Sequence, residues 1–149
     1  MSGTADLAIQ DTVTGLQTKV IGTAGILMFT QAVGTSNPQS SGNVAASTAN
    51  LTFAAVAGKT NFISSLVVTG AGAVAASVIT VAITGLANGT GSQSYLIVVP
   101  AGATTSITPL VLSFVPPLTG VLGGAVSVSV PSFGVGNTNA CASGAAFVL

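Results

Sequence analysis

The side chains in this sequence best suited to acid–base, nucleophilic or metal chemistry are Asp6, Asp11, Lys19, Lys59 and Cys141, and the chain has no His, Glu, Arg or Trp. Proton transfer and nucleophilic attack need a base of workable pKa within hydrogen-bond reach of the group it activates. The two aspartates stand close together near the N-terminus, neither lysine has an acidic neighbour in sequence, and no histidine is present to activate the thiol. A single thiol without histidine or glutamate does not build a zinc site. The expectation is a protein that is not an enzyme, with no catalytic, cofactor-binding or metal residues.

Motifs that imitate chemistry lack the surroundings it requires. Gly70-x-Gly72-x-x-Ala75 follows the apolar run Leu66-Val67-Val68 in the manner of a dinucleotide fingerprint. That site needs a helix N-terminus facing the pyrophosphate and an acid about 20 residues on. Here the next segment is β-branched and no acid lies downstream, so the glycines read as a turn. Asn50-Leu51-Thr52 and Asn88-Gly89-Thr90 match the glycosylation acceptor, a pattern that a Thr-rich chain produces by chance. Cys141 has no partner for an internal disulfide and reads as a small buried hydrophobe. Zero net charge and few aromatic side chains remove the electrostatic footprint and stacking platforms of a nucleic-acid reader.

The elements that carry these residues follow from composition. Charged residues make up 3% of the 149, against roughly 25% in an ordinary soluble domain, and from Thr60 to Leu149 there are none. Charge normally keeps strand edges apart, so a surface without it needs to be covered by lipid, a partner or further copies of the chain. Hydrophobic residues reach 49%, mostly Ala and Val diluted by Gly, Ser and Thr, which favours strands over helices. From residue 51 the pattern predicts strands over Leu51–Val56, Asn61–Thr69, Ser77–Thr84, Gln93–Val99, Ile107–Val115, Ala125–Val130 and Ala145–Leu149. Turns are expected between them at Gly58-Lys59, Gly70 to Gly72, Asn88 to Gly91, Pro100 to Gly102, Pro116-Pro117, Gly123-Gly124 and Gly134 to Asn139. Regular short strands with turn chemistry between them predict a sandwich or closed barrel. Val126, Val128 and Val130, alternating with Ser127 and Ser129, should turn the valines to the core.

Residues 1–50 stand apart as an N-terminal arm and loop, or a lead-in strand through Ile26-Leu27-Met28-Phe29, and residues 51–149 as the β-sandwich domain. Gln31 to Asn50, with its Asn37-Pro38 pair, reads as a loop. Met1 to Asp11 lacks the basic start of a secretory signal, so synthesis in the cytoplasm without export by that route is expected. Phe62 to Leu86 is long and apolar enough to suggest a membrane span. The glycines at 70 and 72 and the period of two through Ile79, Val81 and Ile83 instead predict two strands joined by a bend, and no membrane.

Gly58-Lys59-Thr60, Leu66 to Ala73, Ala76 to Val81, Val99-Pro100-Ala101-Gly102, Thr108-Pro109-Leu110-Val111 and Val128 to Ala140 together resemble the capsid decoration, or cement, proteins of tailed bacteriophages. The stretch Val128-Ser129-Val130-Pro131-Ser132-Phe133-Gly134-Val135-Gly136-Asn137-Thr138-Asn139-Ala140 is the distinctive part, and the first 57 residues lie outside the likeness. The resemblance implies an all-β, single jelly-roll-like β-sandwich, to which composition adds an N-terminal arm or lead-in segment. It further implies a homo-oligomer, dimer or trimer, that binds the major capsid protein on the outer surface of the virion and bridges neighbouring subunits. It brings no catalytic residues. Phe133, Gly134, Gly136, Asn137 and Asn139 are the candidate packing or interface turn. The alternative is a tail- or fibre-associated host-binding module, for which the aromatic supply, Tyr95 and no Trp, is poor. A self-assembling surface fibre subunit fits the composition but not the missing export signal.

Overall fold

A computed structural model describes residues 35–134 and 139–149, together with the backbone of two short strands nearer the N-terminus. The chain divides into two units, Met1–Val33 and Gly34–Leu149. In the first, β1 (Ala8–Gln10) pairs antiparallel with β2 (Gln17–Lys19). The second is all-β. Its strands are β3 (Thr35–Ser40), β4 (Val44–Ala45), β5 (Ala49–Phe53), β6 (Asn61–Ala71), β7 (Ser77–Thr84), β8 (Ser92–Val99), β9 (Leu110–Thr119), β10 (Val126–Val130) and β11 (Asn139–Val148).

These strands form two antiparallel sheets facing each other as a β-sandwich. One runs β5-β10-β7-β8 and the other β3-β11-β6-β9, with β4 also on β11. β3 and β4 lie along the same edge of β11, meeting Ser143 to Val148 and Asn139 to Ala140 respectively, so they act as one strand interrupted near Gly42. With β3 and β4 taken together, first pairs with last and the remainder nest inside: β5 with β10, β6 with β9, β7 with β8. The described part of the second unit is in effect one long hairpin rolled over on itself.

Alternation places the core. Val126, Val128 and Val130 are fully buried on β10, and so are Val81 and Ile83 on β7, Leu51 and Phe53 on β5, and Ile63, Leu66 and Val68 on β6. Phe53 and Leu51 face the inner side of β11, which is lined by Ala140, Ala142 and Ala146. A Cβ on Gly144 would stand 3.2 Å from both Phe53 Cζ and Leu51 Cδ2, so the small residues of one sheet make room for the large ones of the other.

Three sequence expectations differ from the structure. The segment expected as a loop, Gln31 to Asn50, carries strands at Thr35–Ser40, Val44–Ala45 and from Ala49, so the sandwich takes in β3, β4 and the start of β5, and the boundary falls before Gly34 rather than after Asn50. Pro116-Pro117, expected as a turn, lies within β9, and Pro38 within β3. Both are edge strands, where a missing N–H deprives no inner neighbour, and β9 steps out of register opposite Ser64, from Leu118 on Ile63 to Ser113 on Ser65. The last strand begins at Asn139, not Ala145. Its Ala, Ser and Gly residues have low strand propensity, but two flanking strands complete its backbone hydrogen bonding.

Candidate functional site

The chemistry-bearing side chains are dispersed in the described part of the chain. Lys59 sits on the exposed turn before β6, where its N–H donates to the Val56 carbonyl at 3.0 Å and its carbonyl accepts from Gly123 N–H at 2.7 Å. Cys141 is half-buried on β11, with Sγ 3.8 Å from the hydroxyls of both Ser40 and Ser143. Tyr95 donates its hydroxyl to Gln93 Oε1 at 3.0 Å. Among the described residues no three His, Cys, Asp or Glu side chains gather as metal ligands, and no helix is long and apolar enough to cross a membrane. Asp6, Asp11 and Gly136 and Asn137 of the expected turn lie outside the described residues.

The remainder of that turn follows β10. Phe133 is 2% exposed and belongs to the core, packed with the same cluster as the β10 valines. Ser132 folds the backbone behind it: its hydroxyl accepts from Gly134 N–H at 3.3 Å and donates to the Gly134 carbonyl at 2.9 Å. Gly134 has φ of +125°, a conformation that L side chains rarely adopt. Asn139 is the first residue of β11, in register with Ala71 on one side and Ala45 on the other. Phe133 and Gly134 border an open, mainly apolar groove of about 400 Å³, walled opposite by Val74, Ala75, Ser77 and Ile79. Phe133 thus anchors the turn, while the exposed rim comes from the loop before β7.

The sequence pattern missed a buried polar clamp. Asn61, 1% exposed, donates through Nδ2 to the carbonyls of Ala54 at 3.0 Å and Gly124 at 3.1 Å, while its own carbonyl accepts from Gly120 N–H at 2.8 Å. The Asn61 side chain therefore ties the end of β5 to the loop before β10, while its backbone carbonyl holds the residue that follows β9. Its Oδ1 has no protein partner.

The sequence pattern also missed an apolar outer surface. Leu96 and Val98 on β8 are 73% and 72% exposed, and Val78, opposite Val98 on β7, is 61% exposed. The signal was present in Tyr95-Leu96-Ile97-Val98-Val99. An antiparallel strand with one face in water alternates, so an unbroken apolar run on such a strand turns apolar side chains to both faces. Further along this sheet the outer side is hydroxylic: Thr52 Oγ1 lies 3.3 Å from Ser127 Oγ, and Thr84 Oγ1 donates to the Ser127 carbonyl at 3.4 Å. Val111 and Val115 project from β9 of the other sheet, with Val115 91% exposed. From Gly34 to Leu149 the only charged side chain is Lys59.

No protein-family model matches the chain, and no curated protein matches it.

Proposed function

We propose that this chain is a structural virion protein that decorates and stabilises a bacteriophage icosahedral capsid by bridging neighbouring capsid subunits. The observation that carries this reading is a sandwich surface with one charged side chain, Lys59, and several valines and leucines turned outward. Such a surface suits permanent burial against neighbours in a repeated lattice, where like-charge repulsion would otherwise recur at every symmetry contact. The resemblance of the segment through Phe133 to capsid decoration proteins points the same way. The nested pairing of first strand with last supports the jelly-roll-like form of the sandwich. Its partners are the major capsid protein and further copies of itself, and its place is the outer surface of the capsid.

On this reading the protein works by burying apolar and hydroxyl surface across the joints of the shell, each Å² of apolar area removed from water contributing about 25 cal/mol. Heads assembled without the protein provide the test. Adding the purified chain should raise the temperature at which they release DNA and should saturate at a fixed ratio to capsid subunits. Unchanged release at saturating protein would contradict the proposal.

A further inference from the structure

Four strands end the two sheets, and three carry something that hinders a further strand. β3 contains Pro38 and breaks near Gly42, β9 contains Pro116 and Pro117, and β5 has only 5 residues. β8 differs. Its 8 residues, Ser92–Val99, include no proline, glycine or charge, and among the described residues it pairs only with β7. Proteins normally defend such an edge with a charge, a proline or a bulge. The side chains beside this edge, Leu96, Val98 and their neighbour Val78, are the exposed apolar strip described above.

We propose that β8 is the contact through which two copies of the chain join, antiparallel about a twofold axis, so that the two four-stranded sheets continue as one. The proposal rests on the reading of the protein as self-associating, and names the surface. Charge selects the occupant. An ordinary soluble partner, about a quarter of whose residues are charged, would bring ionised groups against a strip that offers none in return, and burying an unpaired charge is strongly unfavourable. A second copy brings the same uncharged strip and a backbone edge of the same length. In a continuous sheet the outward residues of both strands must share one face, which restricts the register. The register centred on Leu96 sets Leu96 against its twofold mate and Ser94 against Val98. The apolar side chains then meet at the middle of the joint, and the pairing ends before Pro100.

Leu96→Lys and Val111→Lys, both at exposed positions but on different sheets, separate this surface from general apolar loss when compared by sedimentation velocity. The expected result is at least a tenfold weaker self-association for Leu96→Lys and no change for Val111→Lys, with both retaining the wild-type circular dichroism spectrum. Independently of folding effects, Leu96→Cys in a Cys141→Ser background should form a disulfide-linked dimer on mild oxidation, and Val111→Cys in the same background should not. A monomeric wild type, undiminished association of Leu96→Lys, or equal cross-linking of the two cysteine variants would overturn the proposal. Binding of wild-type protein to heads is read separately: failure here with binding intact rejects only the β8 contact, whereas β8 association without head binding rejects only the capsid role.

Discussion

Two buried side chains near opposite ends of β10 have different duties. Phe133 fills core volume, and Phe133→Ala should lower stability by about 3–5 kcal/mol through lost burial and the space left behind. Equilibrium denaturation measures this, and an unchanged midpoint would mean that Phe133 does not pack as described. Asn61 contributes by satisfying two backbone carbonyls rather than by volume. Asn61→Ala leaves the Ala54 and Gly124 carbonyls without their donor, and a loss of about 1–3 kcal/mol is expected. Loosening should concentrate in the loop before β10, visible as faster amide exchange of Gly123 and Gly124, whose N–H groups bond to the Lys59 and Val121 carbonyls beside the released Gly124 carbonyl. Of these two residues, Phe133 was singled out in the sequence as part of a packing or interface turn, and the fold places its ring in the core. Asn61 was not, since its importance arises from loops at residues 54 and 124 that only the fold brings together.

At the scale of elements, strands with clear alternation were readable from the chain alone. β7 has the expected limits, and β6, β8 and β10 begin or end within a few residues of expectation. The elements that were misread depend on neighbours: β3 and β9 admit proline because they are edges, and β11 is a strand because it lies between two others. The N-terminal unit offers a separate test. Residues 1–30 hold Asp6, Asp11 and Lys19, the charges missing from nearly all of the sandwich, and under the proposed capsid role this segment would contact a neighbouring subunit or the shell. Removal of residues 2–16 should leave a folded sandwich with the wild-type circular dichroism spectrum but greatly reduced binding to heads in a pull-down. Binding as tight as that of the full chain would remove that role from the segment.

For the whole molecule, the decisive property is a surface almost without charge. Composition alone made this visible, but not where the exposed apolar residues gather, because Val78, Leu96 and Val98 look like core residues until the sheet turns them outward. Binding through apolar and hydroxyl contacts should be nearly indifferent to ionic strength. Heads washed in about 1 M salt, where the screening length is near 3 Å, should therefore keep the protein. The most direct test of the capsid role is the copy number in purified virions, measured by quantitative mass spectrometry against the major capsid protein. The account predicts a fixed, lattice-scale ratio of the protein to capsid subunits; a handful of copies per particle, as for a tail component, or none at all would contradict it.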